Sequence, residues 1–246
     1  MLLLPEDHPT AAAVIAAIRG GHVELLQRLL AQSPELVSAR IVDGRGVART
    51  LLHVATDWPG HFPNVAATIH ALAAAGADVN AVVQHPVRHE SRETPLHWAA
   101  SSNDVAALDA LLDRGADLEA PGAVFTGGPA MSDAVIFGQW EAARRLLARG
   151  ARTTLWQAAA LGLLERVAAE CEGATPPEAS QLTNAFWHAC RGGQRATAEY
   201  LLARGADHNW VGYDDKAPLD VARECGAVDL VAWLEAHGAR SAAVQR

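Results

Sequence analysis

A small set of carboxylates and imidazoles in this sequence could supply a general acid and a general base: Asp57, His61, Asp133 and His188. Positioned Asp and His side chains of this kind transfer protons in lyases and hydrolases that act on small molecules. Trp98 could provide an aromatic wall for such a substrate. The sequence contains no G-x-G-x-x-G, P-loop, H-E-x-x-H or G-x-S-x-G motif, so no nucleotide-binding or hydrolase signature accompanies these residues.

Two imidazoles and two carboxylates could also converge over Trp98 as metal ligands: Asp57, His61, His89 and Glu90. His85 and His89 have the spacing of a metal-binding pair on a helix, but Pro86 between them disfavours a helix. Each of these side chains also has an ordinary interpretation as a helix cap or a solvated loop residue. We therefore predict neither a metal nor a cofactor.

Charge and hydropathy exclude several classes of protein. The chain has 246 residues, with 20 Lys and Arg against 28 Asp and Glu, which gives a formal net charge of −8. A negative chain with one lysine, Lys216, and no basic cluster repels phosphate backbones, so we expect no nucleic-acid partner. No apolar run approaches the ~20 residues of a membrane span, so we expect no membrane partner either.

Cysteine usage and the N-terminus indicate a cytoplasmic protein. The cysteines are odd in number and not closely spaced, which is typical of reduced thiols: Cys171, Cys190 and Cys225. The apolar start at residues 1–4 is short and is followed by Glu6 and Asp7, where a signal peptide would be basic.

An internal repeat predicts the elements that hold these side chains. A Gly-Ala pair recurs at residues 76–77, 115–116, 150–151, 205–206 and 238–239. Glycine directly after a helix adopts a left-handed backbone that other residues avoid, so each pair predicts a helix end. A glycine or asparagine lies 12 residues before each of these glycines, at Asn64, Asn103, Gly138, Gly193 and Gly226. With apolar residues at helical spacing between them, each repeat is a helix, a tight turn and a second helix.

The repeats also open in a characteristic way. Thr94-Pro95-Leu96-His97 and Thr50-Leu51-Leu52-His53 place threonine where it caps a helix, and proline suits the first helical turn. Together with Leu111-Leu112-Asp113-Arg114-Gly115-Ala116-Asp117, the first of these segments resembles a repeat of the ankyrin family almost position by position. The resemblance extends over roughly residues 11 to 241.

The resemblance implies an all-α ankyrin-repeat solenoid of about seven stacked helix-turn-helix repeats with finger loops. The repeats start near residues 10, 50, 94, 129, 153, 184 and 217, within a single domain over residues 1–246. It also implies structural roles for Thr50, His53, Thr94 and His97, because the histidine of this motif bonds to backbone and to the threonine hydroxyl. In this family the fingers and the first helices line a concave surface that holds partners.

Longer loops would enlarge that surface here, at residues 40–49, 57–64, 82–93 and 121–128. Loops on a rigid scaffold are where binding residues concentrate. On these loops and on the first helices, the predicted binding residues are Asp57, Trp58, His61, His89, Trp98, Ser101, Asp133, Gln157, His188, Arg191 and Trp210.

We therefore expect a monomeric, cytoplasmic module that binds an unknown protein partner through its concave face and extended finger loops. The alternative is an enzyme for a small molecule, with a pocket between the first helices and loops 57–63 and 82–93. That alternative needs both loops folded over a closed cavity that contains a perturbed His or Asp. Asp133 and His188 lie two repeats apart, on the order of 18 Å, whereas proton transfer needs ~2.6–3.2 Å. A scaffold without a specific ligand is a third hypothesis.

Overall fold

The computed structural model describes residues 2–88 and 91–244, which form fourteen α-helices, three short strands and three 3₁₀ helices. The helices are α1 (Pro9–Arg19), α2 (Val23–Gln32), α3 (Leu51–Thr56), α4 (Val65–Ala74), α5 (Pro95–Ser101), α6 (Val105–Asp113), α7 (Ala130–Ile136), α8 (Trp140–Ala148), α9 (Leu155–Ala160), α10 (Leu164–Cys171), α11 (Ala179–Arg191), α12 (Arg195–Ala203), α13 (Pro218–Glu224) and α14 (Val228–Ala236). The strands are β1 (Leu3–Pro5), β2 (Arg40–Val42) and β3 (Ala48–Thr50). None of the described helices combines the length and the apolar character needed to cross a bilayer.

The chain divides into two compact units, Met1–Ala151 and Arg152–Arg246, which we call unit 1 and unit 2. In unit 1 the helices contact each other as consecutive pairs, from α1 with α2 to α7 with α8. The first helices of the pairs contact one another in chain order, and so do the second helices. In unit 2 the first helices α9, α11 and α13 are likewise in contact in order. Each unit is therefore built from helix pairs that pack side by side in two layers.

The turn residues have the left-handed backbone that their spacing predicted. Asn103 has a φ of 57° and Gly138 a φ of 70° between the two helices of their pairs. Asparagine is the residue with a Cβ that tolerates this conformation best, which explains why it replaces glycine here. Positive φ also occurs at the glycines that follow α4, α6, α8, α12 and α14: Gly76, Gly115, Gly150, Gly205 and Gly238. The predicted helix ends are confirmed at these positions.

One predicted repeat start differs from the structure. Helix α11 begins at Ala179, five residues before position 184, because Glu178 caps it and its backbone N–H donates to Gln181 Oε1 at 2.9 Å. Asn184 lies inside the helix, where its Oδ1 accepts a hydrogen bond from the Tyr213 hydroxyl. The other six starts fall within two residues of the first helical residue.

Each unit has its own buried apolar core. The fully buried large side chains of unit 1 include Ile18, Leu26, Leu52, Ile69, Leu108, Leu111 and Met131. The core of unit 2 is built around Phe186, Val167, Leu201 and Leu234. Several buried residues of the first helices are alanines, such as Ala99 in α5, Ala134 in α7 and Ala159 in α9, and small side chains let packed helices approach closely.

The chain is mostly helical, but the all-α expectation missed a small sheet in unit 1. Strand β1 pairs in parallel with β2, and β2 pairs antiparallel with β3. Asp43 closes the β2–β3 turn because its Oδ1 accepts hydrogen bonds from the backbone N–H groups of Arg45 and Val47, at 2.9 and 3.0 Å. Ala48 also bridges Gln84, which attaches loop 82–93 to the sheet. The segment expected only as an insertion is therefore a structured hairpin.

Candidate binding site

Unit 1 contains a pocket of about 280 Å³ beside helix α5, which we call the Trp98 pocket. Its walls come from the β2–β3 hairpin, the loop after α3, loop 82–93, helix α5 and the segment from 124 to 137. The lining residues are Asp43, Arg45, Val47, Arg49, Asp57, Trp58, Val83, His85, Arg88, Glu93, Trp98, Ser101, Ser102, Val124 and Phe137. The structure thus brings together four of the predicted residues, Asp57, Trp58, Trp98 and Ser101.

Two arginines hold the carboxylate of Asp57. Its Oδ2 accepts hydrogen bonds from Arg19 Nη2 at 3.0 Å and from Arg49 Nη1 at 2.8 Å. Arg49 is buried and also donates from Nη2 to Glu6 Oε2 at 2.7 Å. Charge-assisted bonds of this kind are strong, so Asp57 joins helix α1 to the sheet at one edge of the pocket, and Arg49 extends the link to the N-terminal segment.

The loop after α3 is fastened to helix α6. The backbone N–H of His61 donates to Asp104 Oδ2 at 2.6 Å, and its ring Nε2 donates to the Ser102 carbonyl at 3.1 Å. Asp104 also caps α6 by accepting a hydrogen bond from the backbone N–H of Ala107. His61 is not among the residues that line the Trp98 pocket. The structure thus places its ring against the segment before α6 and not among the residues that line the pocket with Asp57 and Trp98.

Trp98 and Ser101 occupy successive turns of α5. The Trp98 ring packs edge-on against His53, with ring centroids 4.9 Å apart and planes at 78°. The hydroxyl of Ser101 donates to the Trp98 carbonyl at 3.0 Å. Trp98 thus packs against His53 at the wall of the pocket.

His53 and His97 make equivalent hydrogen bonds in two successive helix pairs. Nδ1 of His53 accepts from the Thr50 hydroxyl at 2.7 Å, and its Nε2 donates to the Glu93 carbonyl at 3.1 Å. His97 is bonded in the same way to Thr94 at 2.9 Å and to the Gly128 carbonyl at 3.2 Å. Each ring therefore joins the start of its own helix to the loop before the next pair.

Unit 2 gathers aromatic rings around His188. Its ring centroid lies 4.6 Å from Trp156, 5.0 Å from Trp187 and 5.6 Å from Tyr213. Trp210 lies 5.8 Å from Tyr213 and extends the cluster. Nδ1 of His188 is buried and finds no hydrogen-bond partner among the described residues. Two predicted binding residues, His188 and Trp210, thus belong to one cluster.

Large apolar side chains are exposed around the Trp98 pocket. The exposed fractions are 79% for Trp58, 80% for Val87, 70% for Phe125 and 43% for Phe137. Val87 and Phe125 line a second pocket of about 550 Å³, the Phe125 pocket, which shares Arg88 with the Trp98 pocket. The rings of Phe125 and Phe137 are 6.0 Å apart. The two pockets and these four side chains form one continuous surface, which we call the finger surface.

One segment of the chain matches a known protein family. Residues 91–120 match the family model of the ankyrin repeat. The chain therefore contains an ankyrin repeat at this segment. The match covers one repeat, which includes α5, α6 and the bracing pair Thr94 and His97. No curated protein matches the chain.

Burial lowers the pKa of three histidines. Burial lowers the pKa of His53 to about 3, which outweighs the opposite effect of its hydrogen bond to Glu93. Burial also lowers the pKa of His97. In unit 2, burial and the nearby charge of Arg191 lower the pKa of His188 to about 3. A base with so low a pKa accepts protons poorly near neutral pH, so His188 is unsuited to general-base catalysis.

Asp133 is a predicted acid–base residue with a strongly raised pKa. Burial, aided by the charge of Glu93, raises its pKa to about 7 against the opposing effect of a hydrogen bond from the Val124 N–H. That bond, from Val124 N–H to Oδ1, is 3.2 Å long. Asp133 is only 1% exposed and does not line the Trp98 pocket. Its pKa suits proton transfer, but the side chain is covered.

The remaining predicted residues have other positions. Gln157 is buried, and its Oε1 accepts a hydrogen bond from the Thr154 N–H at 2.8 Å, so it caps α9 instead of facing a ligand. Arg191 is partly buried, and this burial lowers its pKa. His89 and Glu90 lie outside the described residues. Within residues 2–88 and 91–244, no three His, Cys, Asp or Glu side chains are placed to hold a metal ion.

Sequence reasoning missed the arginines of the hairpin. Arg45 and Arg49 line the Trp98 pocket because the β2–β3 hairpin folds beside α5. An Asp43-Gly44 pair lies between two short apolar stretches, and this pattern is a recognised hairpin signal. Phe137 was missed because nothing in its local sequence distinguishes a helix-end residue that packs in the core from one that is exposed.

Proposed function

We propose that this ankyrin-repeat protein is an interaction module that binds a protein partner through the finger surface of unit 1. The observation that carries the proposal is the joint exposure of Trp58, Val87, Phe125 and Phe137 beside two pockets. Monomeric proteins rarely expose several large apolar side chains together unless a partner covers them. Aromatic and arginine side chains are also the types most often found in binding hot spots.

The proposal extends to the whole chain. The seven helix pairs are seven ankyrin-type repeats of a single solenoid domain, and the first helices and finger loops supply the binding face. In unit 2 the corresponding binding residues are His188, Arg191 and Trp210. The thiols of all three cysteines are free, which supports a reducing, cytoplasmic setting.

The alternative of a small-molecule enzyme has less support. The carboxylate of Asp57 is paired with two arginines, and Asp133 is covered. The pKa of His188 is too low for a general base. The loops 57–63 and 82–93 do meet at the Trp98 pocket, but its volume of about 280 Å³ is smaller than most small-molecule sites, which have roughly 300–1,000 Å³.

The experiment compares two exposed valines. Val87→Asp places a charge on the finger surface, whereas Val228→Asp places one on α14 at a similarly exposed position, 76% against 80%. The full chain and both variants are used to capture proteins from the native extract, followed by quantitative mass spectrometry. We expect a partner retained by the wild type and by Val228→Asp but reduced about tenfold or more by Val87→Asp. Equal recovery with both variants, while both keep the wild-type circular dichroism spectrum, would contradict the proposal.

A further inference from the structure

Among the described residues that line the two pockets, the exposed charged side chains are arginines. Arg88 is exposed and lines both pockets, and Arg92 is exposed beside Phe125. The Arg45 side chain, at the edge of the Trp98 pocket, is 86% exposed. These cations stand out in a chain whose net charge is −8. A local cationic surface on an anionic protein attracts negatively charged partners.

The described carboxylates at this site already have partners. Asp43 accepts hydrogen bonds from two backbone N–H groups and from Arg45, and its side chain is only 9% exposed. Asp57 is bonded to Arg19 and Arg49. The Oε2 of Glu93 accepts a hydrogen bond from the Ser91 hydroxyl at 3.0 Å.

Some arginine N–H groups at the same site donate no hydrogen bond within the described part of the chain. Nε of Arg49 is buried without a hydrogen-bond partner in the described part of the chain, and Arg49 as a whole is only 6% exposed. A buried N–H without a partner is costly, so an oxygen atom that reaches it gains a hydrogen bond and removes that cost. The Arg88 side chain likewise has no ion pair with any described residue. A guanidinium presents several N–H donors in a fork that matches a carboxylate.

We propose that the Trp98 pocket receives a carboxylate side chain from an acidic peptide segment of the partner, with an apolar neighbour of that side chain on Phe125 and Phe137. This inference rests on the proposed function and names the chemistry of its partner. Arg49 and Arg88 bind the carboxylate, and Trp98 provides the apolar wall along its stem. A cavity of about 280 Å³ accommodates one side chain of a peptide better than a whole small-molecule ligand.

The test begins with a selection of random displayed peptides on the full-length protein. We expect enriched peptides to contain Asp or Glu beside an aromatic or aliphatic residue. A synthetic copy is then titrated by fluorescence anisotropy, together with a copy in which Asp and Glu are replaced by Asn and Gln. We expect the amide copy to bind about tenfold or more weakly, and the affinity of the acidic copy to fall as salt is raised.

Two variants of the protein locate the binding site. Arg88→Glu should weaken the acidic peptide about tenfold or more, whereas Arg144→Glu, an exposed position on α8 that lines neither pocket, should change its affinity about twofold or less. Both positions are on the surface, so both variants are expected to fold, which circular dichroism checks.

The outcomes separate this inference from the proposed function. Enrichment of basic or uncharged peptides, whose binding Val87→Asp abolishes, overturns the acidic-partner inference and leaves the interaction module standing. Equal losses of affinity in Arg88→Glu and Arg144→Glu overturn the assignment to the Trp98 pocket. Competition by a single-stranded oligonucleotide as strong as by the acidic peptide would show a general polyanion site and overturn the peptide assignment. Recovery of no enriched peptide overturns the acidic-peptide inference alone, because the capture experiment with Val87→Asp tests the interaction module separately.

Discussion

The carboxyl group of Asp133 makes the stability of unit 1 depend on pH. In an unfolded chain an aspartate has a pKa of about 3.9, whereas burial raises the pKa of Asp133 to about 7. Between these values the folded protein holds a proton that the unfolded chain has lost. The free energy of unfolding therefore falls as pH rises from about 4 to about 7, and the loss is complete above that range.

Asp133→Asn should remove this dependence while it keeps an oxygen for the Val124 N–H. We expect the variant to be more stable than the wild type by about 2–4 kcal/mol at about pH 8 and nearly equal to it at about pH 4. Urea unfolding at the two pH values measures this difference. The opposing effect of His53, whose lowered pKa favours folding at higher pH, cancels because both proteins carry it. Asp7→Asn, at an exposed position, is the control, and a difference that does not vary with pH would refute the expectation.

At the level of secondary structure, Gly192 decides how closely α9 and α11 approach. It follows the last residue of α11, and a Cβ built there would overlap the carbonyl of Ala160 at the end of α9. Its φ of −81° is ordinary, so the requirement for glycine is one of space alone. This position could not be recognised from the sequence, because the carbonyl that excludes a side chain belongs to another helix pair.

Gly192→Ala should therefore lower the free energy of unfolding of unit 2 by about 1–3 kcal/mol, since the two helices must separate to admit the methyl group. Gly44→Ala provides the comparison, because a Cβ at Gly44 meets no atom within 4 Å. We expect that substitution to change stability by about 0.5 kcal/mol or less. Denaturant unfolding followed by tryptophan fluorescence measures both, and similar changes in the two variants would show that the close approach is not required.

At the scale of the whole molecule, the described apolar core of unit 2 is made within that unit. The core of unit 2 contains Phe186, Val167, Leu201, Leu230 and Leu234, all from residues 152–246. Stability in repeat proteins is a sum over neighbouring pairs, and at least about three pairs are needed for a stable fold, which is the number in unit 2.

Residues 152–246 expressed alone should therefore fold into a helical protein with a cooperative urea transition. Far-UV circular dichroism and denaturant titration test this, with residues 1–151 expressed in parallel. A fragment 152–246 that lacks helical signal, or that melts without a cooperative transition, would show that its core needs the rest of the chain.

The helix pairs, their left-handed turns at Asn103 and Gly138, and the Thr–His pairs were predictable from the sequence, because each depends on residues only a few positions apart. Asp43-Gly44 also indicated a hairpin. The strands were nevertheless not predicted, because three residues are too few to show an alternating pattern.

Most of the residues that line the Trp98 pocket could not be predicted in this way. Arg19 bonds to Asp57 across 38 positions of sequence, and His61 bonds to Asp104 across 43. The pKa of about 7 at Asp133 likewise comes from burial and from Glu93 on another loop. These ion pairs and this pKa depend on which distant segments pack together and exclude water. The spacing of neighbouring residues does not determine that packing. The repeat pattern thus set the frame of helices, while long-range packing determined which charges are paired, which are buried and which stay exposed for a partner.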